Sequence, residues 1–349
     1  MKTVDFVRHN IRAMAGYVPG EQPRDGSFIK LNTNENPYPP SPRVVEELRE
    51  AITGDRLRKY PDPMGVIFRR AVGDVLGVDP DGVIVGNGSD DILTILTRTF
   101  VPEGGLIVSP TPSYILYRSL AEIQGACFQD VPFTPEWRLP SPWPIRSANL
   151  TFLPNPNSPS GTVIDPKSLE HWLNHVGGPV VIDEAYVDFA EWTAIALTTN
   201  QDVIVTRSLS KSYSLAGIRF GFAIADPALV REMVKVKDSY NCDALSLIAA
   251  TAAIQDREYF KQTRAKIVAT RARLTNEMRN LGFEVTDSHA NFIWCRRSDR
   301  PVKPIYEELK RRMILVRYMN YPGYGDGLRV TIGSDPEIDR LLEELRTMV

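Results

Sequence analysis

DVIVTRSLSKSYSLAGIRFGF, residues 202–222, opens on an apolar run, stops at a cluster of hydroxyls around one lysine, and closes on an arginine between apolar residues. The run DVIVTRS (202–208) shows no polar alternation, so it suits a strand buried on both faces. Four other stretches read the same way: VIVG (83–86), GLIVSP (105–110), LTFLPN (150–155) and PVVIDEA (179–185). Between them lie helical patterns at 90–100, 113–124 and 166–176. Strands of this kind alternating with helices predict an α/β fold with a mostly parallel sheet wrapped by helices. In such a sheet ligands sit beyond the carboxyl ends of the strands. Lys211, three residues past one of those ends, is therefore a candidate functional group.

Working outward, residues 1–28 read as a polar arm with a short helical stretch near Val4–Met14. The segment LNTNENPYPPSP (31–42) is turn-rich, because its prolines forbid a regular helix. SPRVVEELREAI then reads as a helix, with Ser41 as N-cap and Pro42 in the first turn. The texture changes near residue 255, where a long charged helix (256–281) begins. After it come FEVTDSHANFIWCRR, a helix at 304–312, MILVRYM, GLRVTIG and a last helix with Ile338, Leu341, Leu342 and Leu345 on one side. The expected division is an arm at 1–28, a large domain at 29–260 and a smaller α+β domain at 261–349.

The chain has 349 residues, enough for two domains, with 43% hydrophobic and 24% charged residues. A net charge of −2 implies no general attraction to nucleic acid or an anionic membrane. No apolar stretch has the length of a membrane span. Three scattered cysteines, Cys127, Cys242 and Cys295, suit a reducing cytoplasm rather than a disulfide framework.

Five features can carry chemistry. Lys211, among Ser208, Ser210, Ser212 and Ser214, is either a solvated loop lysine or a nucleophile, with Arg219 as a second cation for an anionic group. Asp183 ends an apolar strand, where an acid caps the next turn or meets a ligand's positive charge. The turn at Gly86 and Gly88 leads into a helix whose free amides favour an anion near Gly88, Ser89 and Asp90. It is not a dinucleotide fingerprint, since the third glycine would fall at Asp91. LPNPNSPSGT (153–162) forms a rigid loop at the same sheet edge, with Asn155 and Asn157 able to reach a ligand oxygen. Arg317 and Arg329, in apolar strand patterns, each need an acidic or phosphate partner. His171 and His175 lack a third ligand and read as surface residues.

The order of a glycine turn into a helix, an Asn-Pro loop, DEAY and SLSKSYSLAGIRFG, with 28 residues from Asp183 to Lys211, resembles fold-type-I aminotransferases of class I and II. Nearly the whole chain takes part. Within that group IRAMAGYVPG (11–20), LNTNENP (31–37), RKYPDP (58–63) and GLRVTIG resemble the histidinol-phosphate aminotransferase family.

The resemblance implies pyridoxal 5′-phosphate (PLP), carried covalently on Lys211, which then serves as acid and base. An unperturbed lysine, with a pKa of about 10.4, is a poor base at neutral pH. Arg219 and partial burial are expected to lower it. By the same resemblance Asp183 pairs with the ring nitrogen, Tyr186 bonds the phenolic oxygen and Tyr114 covers the ring. Ser208, Ser210, Arg219 and the amides of Gly88, Ser89 and Asp90 hold the phosphate. Tyr60 reaches the cofactor of a neighbouring subunit, implying a homodimer. Tyr17, Arg317 and Arg329 hold the substrate's anionic end. The implied reaction converts L-histidinol phosphate and 2-oxoglutarate to imidazole acetol phosphate and L-glutamate, a step of histidine biosynthesis. Aromatic amino-acid transamination and decarboxylation of a phosphorylated threonine are the alternatives. One departure stands out: the family's PNNPTG has asparagine where this chain has Ser158, so either Asn157 or Ser158 would contact the phenolic oxygen.

Overall fold

A computed structural model describes residues 3–16, 20–23, 28–200 and 202–349. Seven strands form the first sheet, in the spatial order Val83–Gly86, Gly221–Ile224, Val203–Ser208, Val180–Asp183, Leu150–Pro154, Leu106–Thr111 and Cys127–Pro132. The last five run parallel, while Gly221–Ile224 is antiparallel to both its neighbours. The three central strands, 150–154, 180–183 and 203–208, are buried at every position. Helices cover both faces of these strands, which is why their sequences show no alternation.

Two strands of this sheet leave weaker traces in sequence. Cys127–Pro132 is an edge strand with mostly exposed side chains, so CFQDVP carries no apolar run. Gly221–Ile224 follows the lysine loop at once and reads as its continuation. Helices Val66–Leu76, Pro227–Val234 and Ala244–Gln255 complete this layer.

The second sheet has five strands: Ile29–Leu31, Ile314–Tyr321, Gly325–Thr331, Phe292–Arg296 and Glu284–Val285. Ile29–Leu31 lies within the stretch 29–260 yet pairs in parallel with Ile314–Val316. The chain therefore enters the second sheet before it builds the first. The 24-residue helix Arg257–Asn280 runs across position 260 and packs on this second sheet. The final helix, Asp335–Arg346, starts on a capping box between Ser334 and Glu337 and buries Ile338, Leu341, Leu342 and Leu345. Each such fully buried aliphatic contributes roughly 1.5–3 kcal/mol, enough to dock an exposed-faced helix firmly. Among the described residues no helix is long and apolar enough to cross a membrane.

Register brings the carboxyl ends of the central strands level. Asp183 lies beside Thr206 on one side and Pro154 on the other, and Ser208 lies beside Gly221. The face of the second sheet carrying Arg317 and Arg329 closes over that edge, so a large cavity lies between the two sheets.

Candidate active site

The cavity encloses about 590 Å³. Ser89, Asp90, Tyr114, Ser158, Asp183, Tyr186, Ser208, Ser210, Lys211, Arg219, Arg317 and Arg329 all line it. Most residues singled out in the sequence thus converge, although they span 240 positions from Ser89 to Arg329.

Lys211 projects into the cavity, and its Nζ donates to the Thr33 carbonyl at 3.3 Å. Burial lowers its pKa to about 8, with the charge of Arg329 next and that of Arg219 smaller. The sequence pointed to Arg219 as the depressing cation; Arg329, 118 residues beyond Lys211, does more.

Asp183 is buried, and burial raises its pKa despite three hydrogen bonds. Tyr117 donates to Oδ2 at 2.7 Å, while Thr206 Oγ1 and the Ala185 amide each donate to Oδ1 at 3.2 Å. All three donors are neutral. Tyr117 escaped the sequence reading, because a tyrosine on an amphipathic helix is ordinarily core. Its ring does pack as core, stacked on Phe152 at 4.7 Å.

At the other end, Gly88 has φ +84°, and a Cβ there would fall 2.6 Å from Arg219 Nη2. Only glycine lets the guanidinium approach so closely. The Gly88 amide itself is turned onto the Gly86 carbonyl at 2.9 Å, so it does not point at the cavity. Ser89 and Asp90, in the first turn of helix Ser89–Phe100, keep the positive end of the helix dipole there. Arg219 Nη1 donates to Ser210 Oγ at 3.4 Å, and Nη2 lies 3.5 Å from Asp90. The Tyr114 hydroxyl donates to Asp90 at 3.2 Å. Ser208 Oγ accepts from the Ser210 amide at 3.2 Å.

The Asn-Pro loop resolves into two roles. Asn157 turns away from the cavity, its Nδ2 donating to the Pro112 carbonyl at 3.2 Å and to Ser160 Oγ at 2.9 Å. Ser158 faces the cavity and accepts from Arg329 Nη1 at 3.0 Å. Arg329 Nη2 donates to the Asn32 carbonyl at 3.0 Å.

Tyr186 packs edge-on to Phe292, and its hydroxyl accepts from Asn34 Nδ2 at 3.0 Å. Asn34 is a second residue that carried no role in the sequence. It adopts φ +58°, pairs through its amide and Oδ1 with Thr331, and through its carbonyl with Asn291. The motif LNTNENP was visible, but its partners lie some 257 and 297 positions away.

Beyond Asn157 and Gly88, Tyr60 is a predicted residue that does not line this cavity. Tyr60 is 81% exposed and stacks on Tyr240 at 4.4 Å, on an outer surface with Leu57, Val66 and Ile67. Tyr17 lies outside the described residues. His171 and His175 sit on the exposed helix Pro166–Leu173 and its end, and no metal-holding group occurs among the described residues.

One end of the cavity thus offers an amine, a buried acid seeking a cation and a cationic cradle at a helix start. That set suits a flat ring with a basic nitrogen and a phosphate. The other end offers two arginines to a second anion.

The family model for aminotransferase class I and II matches residues 27–345, and the chain belongs to that family. Its relatives are named more narrowly. Histidinol-phosphate aminotransferase of Rhodopirellula baltica is 51% identical over 336 residues, covering 95% of this chain and 92% of its own. Histidinol-phosphate aminotransferase 1 of Trichormus variabilis is 45% identical over 99% of both chains. Among solved structures, histidinol-phosphate aminotransferase from Sinorhizobium meliloti in complex with pyridoxal-5′-phosphate superposes with a TM-score of 0.82 at 24% identity, over 92% of this chain and 91% of that one. Aspartate aminotransferase of Thermus thermophilus gives 0.78 at 19%, over 92% of each chain. The α/β architecture predicted from the strand pattern is that of fold type I.

Proposed function

We propose that this chain is a PLP-dependent transaminase that exchanges an amino group between L-histidinol phosphate and 2-oxoglutarate, forming imidazole acetol phosphate and L-glutamate. The observation that carries the substrate class is the arginine pair. Arg317 and Arg329 stand directly opposite each other on antiparallel strands, where like charges repel. Arg317 is half-buried, and no acidic partner for it occurs among the described residues. An anionic substrate group relieves both strains. Guanidinium forks suit a phosphate in one half-reaction and a carboxylate in the other.

The residues also fit the cofactor. Asp183, buried and bonded only by neutral donors, calls for the positive charge of a protonated pyridine nitrogen. The cradle that a Cβ at Gly88 would fill, with Ser208, Ser210, Arg219 and the first-turn amides of Ser89 and Asp90, suits the phosphate. Tyr186 and Ser158 face the phenolic oxygen, and Tyr114 covers the ring. Bound there, PLP supplies the electron sink for the bond broken at the donor's Cα.

Lys211 would hold the cofactor through its amine and, as the free amine, would move the proton at the donor's Cα. With its pKa near 8, a useful fraction of the amine is neutral at physiological pH. Asp183 keeps the ring nitrogen protonated, and Arg317 and Arg329 orient the donor so that this proton faces Lys211. The exposed apolar surface around Tyr60, Leu57 and Ile67 supports a homodimer in which the partner subunit's Tyr60 reaches the phosphate. Free cysteines support a cytoplasmic enzyme.

The test is spectroscopic. Purified protein should be yellow and should bleach on titration with L-histidinol phosphate, regaining colour with 2-oxoglutarate. A clear preference for phenylalanine or tyrosine as donor would overturn the substrate assignment.

A further inference from the structure

The strand Ile314–Tyr321 turns alternate side chains to one face. Arg317, Met319 and Tyr321 share that face, and all three line the cavity. On the paired strand, Arg329 stands opposite Arg317, Gly327 opposite Met319 and Gly325 opposite Tyr321. The two glycines leave the space beside Met319 and Tyr321 free of side chains from that strand. At Gly327 none would fit, since a Cβ would fall 2.3 Å from the Trp294 ring.

Tyr321 is half-buried here, its ring 6.2 Å from that of Trp294. Its hydroxyl donates to the Met319 thioether at 3.3 Å. A thioether is a weak acceptor, so the phenol is held in the cavity with a poor partner. Burial pushes the hydroxyl's pKa up, while Arg329 and Arg317 pull the other way. It is a neutral donor within the field of both guanidiniums.

The hairpin bearing this residue is anchored at its tip. The Tyr324 hydroxyl donates to the Phe133 carbonyl. The Tyr324 ring packs on Trp137 at 4.6 Å, and Trp137 holds a left-handed backbone, φ +62°, to meet it. Backbone strain of this sort persists only where the surroundings over-determine it.

We propose that Tyr321 is a further donor of the anion pocket, beside Arg317, Arg329 and the expected Tyr17, and distinguishes the phosphate of the amino donor from a carboxylate. This rests on the reading of histidinol phosphate as donor. A phosphate monoester presents three terminal oxygens and a carboxylate two. Arg317 and Arg329 satisfy two oxygens in either case. With phosphate, the Tyr321 hydroxyl leaves the Met319 sulfur for the third oxygen. With glutamate or 2-oxoglutarate it stays on the sulfur, and the arginines suffice.

The experiment compares the two half-reactions of the PLP-loaded Tyr321→Phe variant by single-turnover absorbance. A hydrogen bond to a charged group is worth about ten- to a hundredfold in this setting, so kcat/KM for L-histidinol phosphate should fall by about that much. The value for L-glutamate should stay within about twofold. Inorganic phosphate, as a competitive inhibitor of the glutamate half-reaction, should lose about tenfold in affinity. Equal losses for both donors, or no loss for either, would overturn the role of Tyr321 while leaving the function intact. Should the wild-type enzyme prefer unphosphorylated L-histidinol, both the substrate reading and the Tyr321 proposal fail together.

Discussion

Asp183 and Glu184 are consecutive acids at one strand end, and they face opposite environments. Glu184 turns into protein and meets a cation: Arg207 Nε at 2.8 Å, with Thr193 Oγ1 at 2.7 Å and the Ala194 amide at 2.5 Å. Arg207 continues to Asp188 at 2.9 Å, and Asp188 accepts from Ser212, next to Lys211. Every charge in that network has an opposite charge beside it. Asp183 turns into the cavity and meets only neutral donors. Strand alternation explains the divergence. The lesson is that a charge whose partner is built into the protein marks structure, and one whose partner must come from outside marks function. Arg317 belongs with Asp183 in this respect.

The largest effect expected on the functional side is at Lys211. Lys211→Ala should cost about 10⁴-fold in the single-turnover rate, while PLP still binds without a covalent link. Hydride reduction should fix a pyridoxyl group to the wild-type lysine and to nothing in the variant. Substantial turnover by the variant would remove the basis for the whole assignment.

The adjacent acids sharpen the contrast directly. Asp183→Asn should lose about 10²–10³-fold in kcat with little change in the denaturation midpoint. Glu184→Gln should do the reverse. It leaves Arg207 short of a buried partner and should cost about 3 kcal/mol of stability, with kcat changed only several-fold in protein that remains folded. Urea unfolding and half-reaction kinetics on the same preparations decide between them. If the two variants behave alike, the distinction between built-in and external partners is wrong.

The smallest effect is in pH. Only the neutral amine of Lys211 can capture PLP, and burial has lowered its pKa to about 8. Because the shift is downward, the neutral form appears at lower pH than for an ordinary lysine. Cofactor-free protein should recapture PLP about tenfold faster at pH 9 than at pH 7, levelling off above pH 8 to 9. A rate still rising steeply at pH 10 would mean that burial does not depress this amine.

Much of this was legible in the residues. Unalternating apolar runs identified the central strands, and the turns after them singled out Lys211, Asp183 and the Gly88 turn, whereas Ser158 stood out only against the family's pattern. Three things were hidden for distinct reasons. Ile29–Leu31 is three residues long, too short to carry a pattern, so its place in the second sheet was invisible. Tyr117 and Asn34 look like a core aromatic and a turn residue until Asp183 and Tyr186 are placed against them. Asn157 and Ser158 differ only in which way adjacent side chains point, and backbone geometry made that choice.

Local sequence by itself determined which segments become strands, where they stop and which chemical groups stand at their ends, because hydrophobic periodicity and turn chemistry act over a few residues. Only the tertiary structure decided that Arg329 depresses Lys211, that Asp183 meets neutral donors while Glu184 meets Arg207, and that Tyr321 lines one cavity with Arg317 and Arg329. Electrostatic and hydrogen-bond energies depend on distance through space, and the fold brings Arg329 to Lys211 although 118 positions separate them.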